Sequence, residues 1–309
     1  MAGRDGAVSA LVRPSDEVRR ALDAGEPVVA LETSVLSQGL PVPRNAEAAR
    51  TMSAEVRGGG ALPAWTGVVA GAVRVGLSES ELERFCDPRE VAKVARRDLP
   101  MAVASGGLGA TTVSTTIWAA HAAGIRVGAT GGIGGVHPGT GDVSADLLEL
   151  ARTPVVLVCS GPKSIVDPVA TVERLEELGV AVVGYGVDRL PFFLAREAPV
   201  ELEHRADAPE QVAAVAHAQG ELGTRSAVLV CNPVPASHAL DHDRVVEAVR
   251  RAEARAQREG LRGKAVTPFL LTALAEETGG ASLEANLALL RSNARLAAEV
   301  AVALSRRAR

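Results

Sequence analysis

The sequence predicts an α/β fold: a single domain with a largely parallel or mixed central sheet flanked by helices. Three observations carry this expectation. Short aliphatic runs alternate with helical patterns along the chain. Most runs are continuous Val, Ala and Leu stretches without in-and-out alternation, which is how strands covered on both faces read. The intervening helical patterns start and stop on capping residues. At 309 residues, 47% hydrophobic and 23% charged, the chain is long enough and apolar enough to bury a large core.

Taken in order, residues 1–13 read as a flexible N-terminus and residues 14–309 as one domain. Strands are expected at Val28–Leu31, Thr66–Ala70, Met101–Ala104, Ile125–Ala129, Val155–Cys159, Val180–Gly184 and Ala227–Cys231. Asn45 is placed to cap a helix that runs into Gly58, Gly59 and Gly60. Ser78 and Glu81 have capping-box spacing ahead of Leu82 and Phe85. Asp167-Pro168 opens a helix that Gly179 closes, and Thr267-Pro268 with Gly279 repeats the device. Lys93, in Val-Ala-Lys-Val-Ala-Arg-Arg, could bind phosphate but reads on pattern as a solvated helix residue. Glu201–Asp207 reads as a polar surface excursion. Ser282 opens a last helix of about 20 residues by periodicity.

Composition removes several classes of partner. A net charge of −4 argues against a binder of phosphate backbones. With 2% aromatic residues, there is little surface on which single-stranded bases could stack. No apolar run approaches the ~18 residues of a membrane span. The N-terminal stretch lacks the apolar core of a signal peptide. The three cysteines, Cys86, Cys159 and Cys231, lie far apart and two of them end aliphatic runs, which suits a reducing compartment. These features together predict a cytoplasmic protein with neither nucleic acid nor membrane as a partner.

Glycine concentrates where chemistry would sit. Ser105-Gly-Gly-Leu-Gly-Ala-Thr-Thr112 and Thr130-Gly-Gly-Ile-Gly-Gly-Val-His137 each follow an expected strand. Such turns expose backbone N–H groups that suit an anion such as phosphate. Neither turn has Walker or dinucleotide-binding spacing. Asp142 and Asp146 follow the second turn. They read either as acids at a helix start, which Ser144 caps, or as ligands for a hard divalent cation such as Mg²⁺ or Mn²⁺ rather than zinc.

Lys163 lies in Cys-Ser-Gly-Pro-Lys-Ser-Ile-Val-Asp, at the carboxyl edge of a buried strand, where open α/β sheets place ligands. Lysine is scarce: Lys93, Lys163 and Lys264 stand against thirty arginines. An amine can act as a nucleophile, whereas a guanidinium stays protonated. Glu32 ends the Val-Val-Ala-Leu-Glu strand. It suits proton transfer, or alternatively an ion pair with Arg44.

Carried on these residues, the sequence resembles the pseudouridine-5′-phosphate glycosidase family. The segments that match, over about residues 13–303, include ALETSVLSQGLPVPRNAEAA, AKVARRDLP, GATTVSTT, ATGGIGGVH, DVSADLLELA, CSGPKSIVD and TGGASLEANLALLRSNA. The resemblance implies reversible cleavage of the C–C glycosidic bond of pseudouridine 5′-phosphate to uracil and ribose 5-phosphate. It implies Mn²⁺ as cofactor and a homotrimer as the assembly. By matching position it makes Lys163 the nucleophile that forms an imine with ribose C1′, and Glu32 the proton donor. It makes Asp142 the metal ligand. Lys93, Val113, Ser144, Ala145, Asp146 and Asn286 become substrate contacts, joined by Thr130, Gly132 and His137. The sequence departs from the family pattern at Gln38, at Pro162, at the Leu-Glu-Thr-Ser order and in the short Pro-Gly-Thr-Gly stretch before Asp142. Two rivals remain on sequence grounds: an imine-forming enzyme with another C-nucleoside or a pigment intermediate as substrate, and a sugar-phosphate sensor without turnover.

Overall fold

The computed structural model describes residues 10–138, 141–261 and 266–307. Most of the N-terminal segment, Gly139 and Thr140 of the short stretch, and Lys264 lie outside the described residues.

In chain order the first half holds β1 (Val12–Pro14), α1 (Asp16–Asp23), β2 (Val28–Glu32), a π-helical turn (Val35–Gly39), α2 (Arg44–Gly58), β3 (Leu62–Val69) and β4 (Ala72–Val75). It continues with α3 (Glu79–Phe85), β5 (Val91–Val94), α4 (Leu99–Ser105), β6 (Leu108–Thr111), α5 (Val113–Ala122), β7 (Val127–Ala129) and α6 (Ala145–Leu150). The second half holds β8 (Val156–Cys159), α7 (Pro168–Glu177), β9 (Ala181–Tyr185), β10 (His204–Ala206), α8 (Pro209–Leu222), β11 (Val228–Cys231), α9 (His242–Arg258), α10 (Val266–Glu277) and α11 (Ala281–Arg307).

Among the described residues, all eleven strands join one sheet in the order β1-β4-β3-β2-β7-β8-β11-β9-β10, with β6 branching from β3 and β5 beyond it. The pairings from β3 through β2, β7, β8, β11 and β9 to β10 are parallel; β3 meets β4 and β6 antiparallel. The sheet is therefore mixed and mostly parallel, flanked by helices, as the aliphatic runs predict. The central strands β2, β8 and β11 are buried along their whole length. The long helix α11 packs against α2, α8 and the middle of the sheet, and supplies a row of buried Ala and Leu side chains to the main core. No helix among the described residues is long and apolar enough to cross a membrane.

The capping signals act as expected. Ser78 and Glu81 form the reciprocal capping box of α3. The Asp167 side chain accepts from the Ala170 N–H at 3.0 Å, and Gly179 closes α7 at φ +69°.

Several expectations need correction. Met101–Ala104 belongs to helix α4, not to a strand. Pro100 sits in that helix's first turn, Met101 is 75% exposed, and Gly106 ends the helix at φ +70°. The strand is β6, a Gly-Ala run that carries too few large side chains to read as one. Asn45 lies within the first turn of α2 and does not cap it; Pro43 holds the capping position. Its buried amide donates to the carbonyls of Leu36 (2.9 Å) and Cys86 (2.8 Å), stitching three segments together. Lys93 is on strand β5, not on a helix. Val12 and Arg13 pair with β4, so they are part of the sheet and not of a flexible end. The polar stretch before Asp207 supplies the edge strand β10. The last helix spans 27 residues, a turn or more longer than its periodicity suggests.

Candidate active site

Because β2, β7 and β8 are adjacent and parallel, their carboxyl ends share one edge of the sheet. That edge delivers Glu32 from β2, Thr130 just past β7, and the Ser160–Lys163 stretch just past β8. Lys93 reaches the same region through register. Glu32 stands opposite Thr66; the next residue, Gly67, stands opposite Ala110, and Ala110 opposite Lys93.

Past the strand ends, the two glycine-containing loops continue pairing. Ser160 N–H donates to the Gly131 carbonyl (2.8 Å), Ile133 N–H to the Gly161 carbonyl (3.1 Å) and Lys163 N–H to the Ile133 carbonyl (2.9 Å). This ladder fixes the backbone of Lys163 against the second glycine turn. Two glycines make it possible. Gly161 has φ +78°, and a Cβ there would run into the Pro191 carbonyl oxygen. A Cβ on Gly132 would lie 2.7 Å from the Phe193 ring and 3.0 Å from the Gly161 oxygen. Pro162, a departure from the family pattern, is buried inside this ladder, where its fixed φ suits the extended path to Lys163.

The loops frame an open cleft at this edge of the sheet. Glu32, Lys93, Thr130, Gly132, Lys163 and Asn286 all line it, so six of the residues singled out from sequence share one space. Glu32 is 4% exposed and its carboxylate is held at both oxygens. Thr130 Oγ1 donates to Oε1 in a very short bond, and Ser34 Oγ donates to Oε2 at 2.6 Å. The alternative ion pair with Arg44 does not form: Arg44 instead meets Glu47 (3.1 Å) and Glu284 (2.8 Å).

The remaining expected residues do not line this cleft. Ser144 caps α6 and accepts from the Asp146 N–H at 3.2 Å. Asp146 is buried, and its two oxygens accept from the N–H groups of Ser114 and Gly134, each at 3.0 Å. It thus ties the start of α5, where Val113 lies, to the second glycine turn. Ala145 is the first residue of α6. Asp142 is exposed, and its carbonyl accepts from the His137 N–H at 2.9 Å. Among the described residues, no group of three or more His, Cys, Asp or Glu side chains gathers to hold a metal. Among the described residues, Asp142 offers one carboxylate here, a hard oxygen donor that fits a cation keeping most of its waters better than it fits zinc.

Three residues of the site escape sequence reasoning. Ser34 holds Glu32. Phe193 lines the cleft at φ +54°, an uncommon conformation for a bulky residue, with its ring close against Gly131 and Gly132. Asn293, fully buried on α11, donates to the Thr130 carbonyl (2.9 Å) and accepts from Asn232 (2.9 Å), so it positions the turn whose hydroxyl holds Glu32. A signal for Asn293 does exist in the sequence: it follows Asn286 by two helical turns and so shares its face.

His137 links the cleft to Asp142 electrostatically. Burial holds its proton affinity below the ordinary value of 6.5; Asp142 opposes the shift, while Lys163 and Lys93 add to it. Burial lowers His121 in the same way, against Glu149. Both histidines bind a proton more readily in the unfolded chain, so this contribution is complete above about pH 6.5 and is lost as pH falls from there toward their folded values. Urea unfolding at about pH 5.5 is therefore expected at a lower midpoint than at about pH 7.5. A His121→Gln, His137→Gln double variant should narrow that gap, and an unchanged gap would assign it to other groups.

The family described as Indigoidine synthase A like protein matches residues 17–303. A relative from Methylobacterium nodulans, named pseudouridine-5′-phosphate glycosidase, is 51% identical over 93% of this chain and 86% of its own length. One of the same name from Myxococcus xanthus is 49% identical over 96% of this chain and 99% of its own. Among solved structures, the prealnumycin C-glycosynthase AlnA in complex with ribulose 5-phosphate superposes with a TM-score of 0.89 at 41% identity, covering 97% of this chain and 99% of that one. An indigoidine synthase A-like protein from Thermotoga maritima gives a TM-score of 0.89 at 37% identity, covering 99% and 100%. With the match spanning nearly the whole chain, this protein belongs to the Indigoidine synthase A-like family.

Proposed function

We propose that this protein cleaves the C–C glycosidic bond of pseudouridine 5′-phosphate reversibly, giving uracil and ribose 5-phosphate. The observation that carries the reading is the chemistry of the cleft: its lining among the described residues holds one carboxylate, Glu32, with two lysines, Lys93 and Lys163. Ordinary glycosidases need a second carboxylate. A C–C bond has no leaving heteroatom to protonate, so its cleavage needs an electron sink at C1′, and an amine supplies one. The names of the relatives and the pentose phosphate bound in the C-glycosynthase structure support the same substrate class.

In the cleavage direction, the neutral Lys163 amine attacks C1′ and the C1′–O4′ bond breaks; the proton that the nitrogen loses balances the one O4′ gains as the sugar opens, leaving a neutral secondary amine at C1′. Glu32 then gives its proton to uracil C5. The nitrogen lone pair forms the C1′=N bond as the C1′–C5 bond breaks, and that bond's electron pair returns to the uracil ring. Water hydrolyses the imine, releasing ribose 5-phosphate and restoring Lys163. Thr130 and Ser34 orient the acid through their hydroxyls. Lys93 and Asn286, which line the cleft, are assigned to substrate binding, with Lys93 supplying positive charge for the phosphate; Val113, Ser144, Ala145 and Asp146, which do not line it, are assigned to substrate binding by the resemblance alone.

Asp142 would hold a hydrated Mn²⁺, which when bound contributes positive charge beside an anionic substrate. The chain is assigned to the cytoplasm and to a homotrimer, an assembly that light scattering reads directly.

Incubation with pseudouridine 5′-phosphate and Mn²⁺ is expected to release uracil and ribose 5-phosphate in equal amounts. Chelation should suppress the release, and Mn²⁺ should restore it. Asp142→Asn should weaken Mn²⁺ binding measured by titration calorimetry without substrate. No uracil under any divalent cation would sink the assignment, and restoration by Zn²⁺ but not Mn²⁺ would overturn the metal.

A further inference from the structure

Among the described residues, two buried acceptor atoms of cleft-lining residues meet no donor: Gln38 Oε1 and Asn286 Oδ1. A buried polar atom without a partner is costly, and natural structures keep few of them. At Gln38 the orientation of the amide is set by its other end, since Nε2 donates to the Val91 carbonyl at 3.3 Å. The oxygen is left as an acceptor beside the cleft. Gln38 belongs to the π-helical turn that follows β2, the same segment that carries Glu32. If Glu32 protonates uracil C5, the base lies against this segment, and the sugar lies toward Lys163.

We propose that Gln38 Oε1 accepts a ring N–H of the base, and that Gln38 with Asn286 makes the site selective for uracil linked through carbon. The assignment rests on the functional reading above. Uracil attached through C5 keeps two ring donors, N1–H and N3–H; uracil attached through N1 keeps one. Two unpaired acceptors match the first. The second would leave one of them buried and unsatisfied, which is the kind of mismatch that polar sites reject most strongly.

The test compares kcat/KM for pseudouridine 5′-phosphate and for its N1-methyl and N3-methyl derivatives, in the unaltered chain, in Gln38→Met and in Gln38→Glu. The unaltered chain should disfavour one methyl derivative by about 10- to 100-fold. Gln38→Met, of similar size but with no acceptor, should lose a similar factor on the parent substrate and no longer distinguish that derivative. Gln38→Glu restores an oxygen at the position and should recover part of the loss. Borohydride trapping of ribose 5-phosphate on Lys163 should persist in both variants, which also shows that they fold. Discrimination that survives in Gln38→Met overturns the proposal. So does an equal loss of sugar trapping, which would place the acceptor against a ribose hydroxyl. An unaltered chain that neither turns over the substrate nor traps the sugar would instead sink the functional reading itself.

Discussion

In Lys163→Ala, uracil release falls by on the order of 10⁵, about 7 kcal/mol of barrier, and borohydride no longer fixes ribose 5-phosphate to the protein. The effect is this large because the amine is the electron sink, and no other group in the cleft replaces it. Lys93 lines the same cleft but comes from strand β5, on the far side of Glu32 in the sheet. Lys93→Ala should therefore weaken substrate binding and still permit the adduct. Lys163→Arg keeps the positive charge but offers no neutral nitrogen, so it should be as inactive as the alanine variant. The fold should survive either change. The Lys163 side chain is only half-buried, and the backbone bond to Ile133 that positions it does not depend on its side chain. Adduct formed elsewhere on the chain, with turnover intact in Lys163→Ala, would remove Lys163 from the mechanism.

The parts of this molecule that were legible in the sequence are those whose physics is local or repetitive. Val156–Cys159 and Val228–Cys231 are buried on both faces, so each is a continuous aliphatic run and was recognisable. Strand β6 was not, because Gly109 and Ala110 fill a crowded place near Val68, Val94 and Phe85 where larger side chains have no room. Met101–Ala104 misled for the opposite reason: an aliphatic run was read as a buried strand when it forms a short, largely exposed helix.

In the site, Glu32, Lys163 and the glycine turns stood out by residue type and by their place after strands. The residues that hold them did not. Ser34, Asn293 and Phe193 act through contacts between segments far apart in the chain, and an ordinary Ser, Asn or Phe carries no mark of that. Only 2% of the residues are aromatic, yet one of the four Phe residues lines the cleft.

Glu32→Gln should separate the two halves of the reaction. Turnover of pseudouridine 5′-phosphate is expected to drop by about 10³, the scale of a lost general acid, while borohydride still traps ribose 5-phosphate on Lys163. The substitution keeps shape and hydrogen-bonding capacity: the amide oxygen accepts from one hydroxyl and the amide nitrogen donates to the other, so Thr130 and Ser34 stay engaged. What it removes is the proton that uracil C5 must receive before the C1′–C5 bond can break. Imine formation from free ribose 5-phosphate needs no proton at C5, and so it persists. The reverse reaction separates them further, since condensation of uracil with the unreduced imine requires a base to take the C5 proton back, and Glu32→Gln offers none. A variant that loses the adduct along with turnover would show that Glu32 acts on the sugar. One that keeps normal turnover would move the proton donor elsewhere; Lys93 lines the same cleft and is able to serve, and a pH profile of kcat would test it.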